Sequence, residues 1–287
     1  DLSLGYSYNG NYTDAVYDAE GLGTPAVGFD FLYDTGGLGM TSFVYYAAGT
    51  AISDADLGSY SGSLQWYNIF EGMLPRPAYP DQSPNTNPVT GEESILWLDG
   101  DPLTGSGWID GMQIPPGDRR IVMTTGPYTF ALGDTLDVVV ATIGGMGTNS
   151  LSSITVLKYH DTFAQYAYDE EFNLPSAPTA PSAVKSEYDK EVVLNWGMDT
   201  NAIAVIEDTA VKNFEFQGYN VYQYSNSSGS SSKIVATYDK KDLVLTVFGN
   251  QVDEETGYVI NVPIQFGTDS GISRSISIKN DAFTGMP

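Results

Sequence analysis

Short stretches of alternating apolar and polar residues dominate the first half of the chain. A period of two places every second side chain on one face, which is typical of a half-buried β-strand. Glycine, proline, asparagine and aspartate separate the stretches, as they do at turns. The pattern predicts strands at residues 2–8, 27–33, 40–47 and 95–98.

Residues 117–172 join this strand pattern to the longest helical pattern of the chain. Gly-Pro and Gly-Asp steps mark the turns between three strands. The strands are predicted at 121–125, 128–132 and 136–143. We interpret the glycine run at 144–147 as a flexible connector, because no Lys-Ser/Thr pair follows it to complete a phosphate-binding loop.

Two helices are predicted from spacings of three and four between apolar residues. The longer one covers about residues 150–170, with Asn149 or Ser150 as its N-cap. Its apolar face is wide, so we expect it to pack on a sheet. One stripe of that face comprises Leu151, Ile154, Leu157, Asp161 and Ala164. The shorter helix lies within residues 60–72, with Leu64, Tyr67 and Phe70 on one face.

Proline-rich segments indicate how the chain is divided. Residues 74–91 hold five prolines and are predicted to form an exposed loop. Residues 173–183 (NLPSAPTAPSA) read as an extended linker, which predicts one domain at 1–172 and a second at 184–287. Within the second, alternating strands are predicted at 191–196, 216–224 and 233–238.

Composition agrees with a chain of many short strands. The 287 residues include 20 Tyr, 31 Gly and 15 Pro, which favour strands and tight turns over helices. We therefore predict a mainly β fold. It consists of a β-sandwich with one long packed helix, followed by a second β-sandwich.

The charge balance excludes several classes of partner. The 36 acidic and 12 basic residues leave a net charge of −24, which repels nucleic acid, because phosphate binding needs clustered Lys and Arg. No apolar run reaches 18 residues, so membrane insertion is not expected. Cysteine is absent, which excludes disulfides and thiol chemistry.

The segment after the linker resembles a fibronectin type III domain. The pattern Val193-x-Leu-x-Trp196, then Gly218-Tyr-Asn-Val-Tyr222, then Lys233-Ile234 is similar to strands B, C and C′ of that family. The resemblance implies that Trp196 is the buried aromatic residue of the sandwich.

Most of the chain resembles a second family. The relevant segments are LSLGYSYNG, PAVGFDFL, MTSFVYY, LDGDPLTGSGWID, GDRRIVMTTGPYTFALGDTLDVVVA, SLSSITVLKYHDTFAQYAYDEEF and NVPIQFGTDSGISR. They are similar to large secreted proteins of Bacteroidetes and Neomarinimicrobia that end in a type IX secretion sorting domain. The resemblance implies a secreted protein of the bacterial cell surface.

Two features of that family are not found here. An Asp-rich segment usually precedes the first strand, and a sorting domain follows the last one. A late fibronectin strand is expected beyond Pro287, and within the chain only residues 258–262 resemble it. We therefore expect an incomplete second sandwich. Either the chain was cut before its last strands, or a neighbouring segment supplies them by strand addition and covers the open edges.

Carboxylates in two loops predict calcium binding. Asp54 and Asp56, and likewise Asp99 and Asp101, place hard oxygen ligands two residues apart, as calcium sites do. Neither pair completes an EF-hand pattern, which needs about five ligands within twelve residues.

The same region contains aromatic residues that predict carbohydrate binding. Trp97 and Trp108 lie near these carboxylates in the sequence. If both rings are exposed on one face, they form a platform for sugars, whereas burial of both counts against it. A paired-carboxylate glycosidase is the weaker interpretation, because Asp-Gly steps are what turns use.

The remaining polar candidates favour structural roles. His160 is the only histidine, which removes most catalytic triads and zinc sites. Arg119-Arg120 is interpreted as a salt-bridged structural pair, with a carboxylate on the long helix as one candidate partner, and an anion site is the alternative. Asp208-Thr209-Ala210 resembles a Bacteroidetes O-glycosylation signal, with Thr209 as the modified residue.

Together these observations predict a non-catalytic, secreted structural protein of the bacterial surface. Self-association through strand edges would build a layer or filament, and other surface proteins or polysaccharide are further expected partners. The alternatives are a carbohydrate-binding or adhesion module, and the ancillary domains of a secreted polymer-degrading enzyme. Calcium is the one cofactor that the sequence suggests.

Overall fold

The computed structural model describes residues 3–11, 13–46, 52–174, 178–211, 214–253 and 258–286. It is mainly β, with 34% strand and 16% helix, arranged as several small antiparallel sheets and one long helix. The predicted β class and the single long helix are confirmed. Leu2 and Ala47, at the ends of two predicted strands, lie outside the described residues.

The chain divides into two compact units. The first comprises Asp1–Phe172 with Val252–Ile260, and the second comprises Asn173–Gln251 with Asn261–Pro287. The elements before the division are β1 (Leu4–Tyr8), α1 (Ala15–Ala19), β2 (Ala26–Asp34), β3 (Ser42–Tyr46), α2 (Tyr60–Phe70), β4 (Asn85–Thr86), β5 (Glu93–Ser94), β6 (Arg120–Thr124), β7 (Val138–Gly145) and α3 (Ser150–Asp169).

The sheet β1–β2–β7 and helix α3 form one half of the first unit. Both strand pairs are antiparallel, with Leu4 opposite Asp30 and Ala26 opposite Gly145. Helix α3 covers one face of the sheet, since its side chains belong to the same core cluster as those of the sheet. The buried members are Leu4, Ala26, Ile143, Ile154 and Leu157.

Gly145 permits the close approach of α3 to this sheet. A Cβ atom there would lie 2.3 Å from the Leu157 backbone nitrogen and 2.5 Å from the Ser153 carbonyl oxygen. Real side chains do not fit at such distances, so only glycine is accommodated. The predicted flexible connector at 144–147 is therefore wrong in part, because Gly144 and Gly145 complete strand β7.

The pair β3–β6 carries the second core of the first unit. The aromatic rings of Tyr45, Trp97 and Trp108 meet at its centre, with centroid separations of 5.7, 6.2 and 6.5 Å. Isoleucine, valine and alanine side chains complete the cluster, and its remaining buried members are Val44, Ile52, Ala55 and Ile69.

The strand predicted at 128–132 is wrong. These residues pair with no strand of the described chain, and Leu132 is fully exposed. Instead, Asp134 accepts a hydrogen bond from the Ala131 N–H through its carboxylate, and donates its own N–H to the Ala131 carbonyl. This local turn offers the backbone an alternative to a β-ladder.

Helix α2 is confirmed, but the predicted apolar face is not the buried one. Tyr67 and Phe70 are exposed, whereas Gln65 and Asn68 are buried. The Gln65 side chain exchanges hydrogen bonds with Asp56, and the Asn68 amide nitrogen donates to the Pro77 carbonyl oxygen at 2.7 Å. Asn68 Oδ1 has no partner among the described residues. Polar contacts with neighbouring loops thus decide which side of this helix faces inward.

The second unit consists of further small sheets. Its elements are β8 (Val184–Tyr188), β9 (Glu191–Asn195), α4 (Thr200–Glu207), β10 (Ala210–Val211), β11 (Phe214–Glu215), β12 (Gly218–Tyr224), β13 (Ser232–Asp239), β14 (Thr246–Val252), β15 (Val259–Phe266) and β16 (Ser275–Ile278), of which β14 and β15 extend into the first unit's Val252–Ile260 segment. The sheets are β16–β9–β8, β12–β13, β14–β15 and β10–β11.

Helix α4 was not predicted from the sequence. Asp199 caps it by accepting hydrogen bonds from the Asn201 and Ala202 N–H groups. Its two inward residues, Ile203 and Ile206, are buried. Within the described residues, no helix has both the length and the apolar character needed to cross a membrane.

Candidate binding cleft

A cleft of about 280 Å³ lies in the first unit beside β1. All five residues of the strand line it, together with residues from the segments 96–102 and 109–121. Most of the lining is apolar, including Met40, Phe43 and Ile121. A concave, largely apolar surface with a few polar groups is the usual form of a binding site.

Strand β1 lies at the edge of its sheet, so one row of its backbone groups lacks a strand partner. Phe31 donates its N–H to the Ser3 carbonyl oxygen, and antiparallel bonding repeats at every second residue. The N–H and C=O groups of Leu4, Tyr6 and Tyr8 therefore point away from β2. They form no hydrogen bond with other described segments.

Arg119 and Asp110 form the charged part of the cleft. Arg119 Nη2 donates to Asp110 Oδ1 at 2.9 Å, and Nε lies 2.8 Å from Oδ2, although its N–H is not directed at that oxygen. The guanidinium carbon lies 5.8 Å from the centre of the Tyr45 ring. The arginine side chain is only 11% exposed, so removing either partner would leave a largely buried charge.

Two tyrosines of β1 stay uncharged at neutral pH. Burial, then the nearby Asp101 carboxylate, then Tyr8 raise the pKa of Tyr6, and burial followed by Asp110 raises the pKa of Tyr8. The Tyr8 hydroxyl donates to the Asp110 carbonyl oxygen at 3.2 Å. Lys158 Nζ lies 5.6 Å from the centre of the Tyr6 ring.

These groups equip the cleft for binding. Asp110 is neutralised by Arg119, and Asp99 Oδ1 accepts a hydrogen bond from the Asn87 side chain at 3.2 Å. The cleft thus offers apolar surface, neutral hydroxyls, unpaired backbone groups and one exposed carboxylate. Among its described lining residues, none pairs a nucleophile with an activating base.

The first predicted calcium pair, Asp54 and Asp56, lies outside the cleft and contacts arginines. Asp54 Oδ2 lies 2.6 Å from Arg120 Nη1, and Asp56 Oδ1 lies 2.7 Å from Arg76 Nη2. The hydrogen bond from Gln65, aided by Arg76, lowers the pKa of Asp56. Calcium would therefore compete with two guanidinium groups for these oxygens.

The second predicted pair, Asp99 and Asp101, is separated by its partners. Asp99 contacts Asn87, whereas Asp101 caps a turn by accepting from the Leu103 N–H at 3.1 Å and lies 3.7 Å from Lys158. In the described part of the chain, no three His, Cys, Asp or Glu residues converge to hold a metal ion. Calcium binding stays a prediction for all four aspartates.

The tryptophans chosen for carbohydrate binding are core residues. Trp97 is 1% exposed and Trp108 is 2% exposed. Trp97 Nε1 is also engaged, donating to the Gly72 and Ser94 carbonyl oxygens. An indole ring buries roughly 200 Å², worth about 5 kcal/mol, which explains its place in the core. The exposed aromatic platform expected from the sequence is therefore not formed.

The arginine pair is engaged in ion pairs, but with other partners than expected. Arg119 contacts Asp110 and Arg120 contacts Asp54, and both carboxylates lie in loops instead of on α3. Salt bridging was predictable from an Arg-Arg pair in an acidic chain. The partners were not, because loop contacts at separations of nine and 66 residues leave no periodic signal.

The remaining predicted residues lie far from the cleft in sequence. His160 Nδ1 lies 2.8 Å from the Gly144 carbonyl oxygen, so it connects α3 to the end of β7. Thr209 follows helix α4, and its hydroxyl donates to the Val205 carbonyl oxygen at 2.7 Å. Modification of Thr209 would break this bond, and its glycosylation stays a prediction.

A buried carboxyl pair under α3 is a feature that sequence reasoning missed. Asp30 is 3% exposed and Asp161 is 1% exposed. Both oxygens of Asp161 and Oδ1 of Asp30 lack a hydrogen-bond partner among the described residues. Burial, and then the charge of Asp30, raise the pKa of Asp161 to about 6. The position of Asp161 in the predicted apolar stripe was the available signal.

Comparison of this chain with protein-family models, with curated proteins and with solved structures finds no match.

Proposed function

We propose that the chain is a non-catalytic structural module of a secreted bacterial surface protein, which assembles with further copies through strands of its second unit. The single observation that carries this proposal is the apolar surface that these strands expose. The secreted location rests on the sequence resemblance described above.

The second unit buries few of its apolar side chains. Its buried hydrophobic residues in the described chain are Trp196, Ile203, Ile206 and Phe216. Large apolar side chains of its strands are instead exposed, and these include Tyr222, Tyr224, Ile234, Phe248, Ile264 and Phe266. Contiguous exposed apolar residues mark interaction surfaces.

Exposed apolar residues lie in the middle of both strand pairs. Tyr222 lies opposite Ile234 in the β12–β13 register, and they are 44% and 53% exposed. In the β14–β15 pair, a Cβ added at Gly249 would lie 2.9 Å from Ile264, which places the exposed Ile264 across from that glycine. A partner strand or sheet that covers such pairs removes apolar area from water.

The way in which strands pair within the second unit supports the fibronectin-like interpretation. The B-type strand β9 and the C- and C′-type strands β12 and β13 belong to two different sheets. Trp196 is buried, and its ring centroid lies 5.7 Å from that of Tyr219 and 6.1 Å from that of Tyr238. This is the position that a two-sheet sandwich with one buried aromatic residue requires.

The charge distribution favours contact through the second half of the chain. Residues 1–172 carry 22 acidic and 4 basic side chains, whereas residues 173–287 carry 14 and 8. Like charges oppose association, so two copies repel least where acidic and basic residues are more balanced. We therefore expect contact between copies to involve residues 173–287.

Sedimentation velocity over a concentration series tests this assembly. We expect wild-type chains to self-associate, and more so at higher salt because repulsion is screened. Replacing the exposed Phe248 (Phe248→Ser) is expected to weaken association by about tenfold. The control is Leu132→Ser, which also replaces an exposed apolar side chain by serine, but in the first unit.

Monomers at every concentration and salt, or equal effects of the two variants, would reject the proposed assembly. The secreted location is tested separately, by fractionating the native cells and probing with an antibody against this chain. Recovery of the native protein in the cytoplasm would reject the surface assignment.

A further inference from the structure

We propose that the cleft beside β1 binds an extended peptide of a partner protein, which joins the β1–β2–β7 sheet as a fourth strand. This site lies in the first unit. It is independent of the self-association proposed for the second unit.

The backbone of β1 offers the hydrogen bonds that strand addition needs. Leu4, Tyr6 and Tyr8 direct their N–H and C=O groups away from β2, and all five residues of β1 line the cleft. A strand placed there would bond to three donors and three acceptors, in the way that edge strands capture peptides. Open edges are otherwise covered or blunted, because they promote aggregation.

The size of the cleft limits its occupant. Five glycines line it, at Gly5, Gly10, Gly100, Gly111 and Gly117. The chain's own atoms fill the space beside most of them, since a Cβ at Gly100 would lie 2.7 Å from the Trp108 backbone and one at Gly10 would lie 2.7 Å from Pro116. The volume of about 280 Å³ is close to the lower limit of small-molecule sites, so it suits a short extended segment better than a helix.

The charges favour a cationic occupant. Asp99 is exposed at the rim, and its Oδ2 accepts no hydrogen bond from the described residues. Residues 1–172 carry 22 acidic side chains against 4 basic ones, so the first unit attracts cations and repels its own copies. Apolar lining residues such as Met40 and Phe43 favour aliphatic side chains. We therefore commit to a segment of alternating aliphatic and basic residues.

The binding test uses the intact chain and a fluorescein-labelled peptide of alternating valine and lysine, about seven residues long, which is slightly longer than a typical strand. Fluorescence anisotropy measures its affinity. A matched peptide carries N-methyl groups on the amides that would face β1, so it keeps the charge but cannot donate these bonds. We expect the matched peptide to bind at least about tenfold more weakly.

A valine–glutamate peptide of the same length is expected not to bind. Absence of binding by the lysine peptide overturns the proposal. Equal binding by the N-methylated peptide also overturns it, because the interaction would then be general attraction to an acidic surface.

Amide hydrogen exchange of the wild-type chain locates the site. Saturating lysine peptide is expected to slow exchange at Leu4, Tyr6 and Tyr8, whose N–H groups have no hydrogen-bond partner among the described residues. Gly5 and Ser7 are expected to change little, because they already bond to β2. Protection elsewhere, with none at the three open amides, contradicts strand addition at β1.

A pair of variants at one position supplies the genetic test. Tyr6→Pro removes one open N–H without removing a bond to β2, and proline is tolerated on edge strands. Tyr6→Val removes the same aromatic ring but keeps the N–H. We expect peptide binding to be lost in Tyr6→Pro but only weakened in Tyr6→Val, which loses the hydroxyl and keeps the backbone donor, with unchanged circular dichroism in both. If Tyr6→Pro does not fold, the exchange pattern of the wild-type chain decides.

Discussion

At the residue scale, two classes of buried carboxyl group differ in what surrounds them. Asp34 is 4% exposed, yet the N–H groups of Gly36, Leu38 and Gly39 donate to it at 2.8–3.1 Å. Burial alone would raise the pKa of Asp34, but these bonds lower it overall. Asp161 is 1% exposed and has no such donors among the described residues, so its pKa moves in the opposite direction.

Asp161→Asn is expected to stabilise the first unit at neutral pH. A rise in pKa from 3.8 to about 6 corresponds to about 3 kcal/mol of opposition to the charged form. The neutral amide removes that opposition, although its own polar groups need partners. We expect a gain of about 1–3 kcal/mol, measured by urea denaturation at pH 7.5.

The pH dependence follows from the direction of the shift. Because the folded pKa of Asp161 is raised, its contribution to stability is fully present below about pH 4 and is lost as the pH rises through about 6. The advantage of Asp161→Asn is therefore expected to grow across this interval and to stay constant above it. The control is Asp81→Asn at an exposed carboxylate. If this variant gains the same stability, only the net charge matters.

Asp239→Ala is expected to destabilise the second unit. Asp239 is 5% exposed and accepts hydrogen bonds from the Thr268 hydroxyl at 2.7 Å and from the Thr268 and Asp269 N–H groups at 2.8 and 2.9 Å. Burial alone would raise the pKa of Asp239, but these bonds lower it overall. Leaving the donors unpaired removes about 2–4 kcal/mol of stability near neutral pH.

The contribution of Asp239 is present above its unfolded pKa of 3.8 and is lost as the pH falls through the lowered folded value. Chemical denaturation from pH 3 to 7 measures it. The control is Asp242→Ala, because Asp242 makes one backbone hydrogen bond from an exposed position. Equal losses in the two variants would show that burial of Asp239 contributes nothing.

Only part of this residue chemistry was predictable. The apolar stripe of the long helix included Asp161, and its burial follows from that periodicity. Its neighbour Asp30 could not be identified, because Asp30 and Asp161 are more than a hundred residues apart. Which side chains of β2 face α3 depends on the tertiary structure. The partner of Asp54, Arg120, lies 66 residues away and could not be identified for the same reason.

At the element scale, the packing of α3 on β7 depends on Gly145, and the adjacent Gly144 has different surroundings. A Cβ at Gly145 would collide with the α3 backbone, whereas one at Gly144 would meet nothing within 4 Å. Gly145→Ala is therefore expected to destabilise the first unit by about 2 kcal/mol or more, because the helix must move. Gly144→Ala is the matched control and is expected to change stability by less than about 1 kcal/mol.

Thermal unfolding followed by circular dichroism at 222 nm measures both variants, since α3 supplies much of the helical signal. Equal behaviour of the two alanine variants would show that α3 can shift from the sheet without loss of stability.

Helices and strands were predicted correctly where their local sequence pattern was strong. Helix α3 has twenty residues of consistent periodicity and a capping box at Asn149, so both its type and its extent were predicted. The segment 128–132 has strand-like composition but no partner strand, and composition cannot supply one. Helix α2 was predicted, but loop contacts of Gln65 and Asn68 decided which face is buried.

At the scale of the whole molecule, the net charge of −24 opposes compactness. The first half carries most of this excess, and its surface ion pairs offset little of it. Arg76–Asp56 and Arg120–Asp54 are both partly exposed, and such pairs contribute about 0–1 kcal/mol each. Salt weakens these ion pairs but also screens the repulsion between carboxylates. Because the pairs contribute so little, we expect salt to increase the stability of the fold.

Sodium chloride is therefore expected to raise the melting temperature by a few degrees between about 0.01 M and 0.5 M, as the Debye length falls from about 30 Å to less than 10 Å. Calcium chloride at matched ionic strength separates screening from binding. Calcium that binds the folded chain adds a further, saturable rise. Loss of this rise in the double variant Asp99→Asn and Asp101→Asn would assign it to that loop. Identical curves for the two salts would reject the predicted calcium sites, and stabilisation would then come from screening alone.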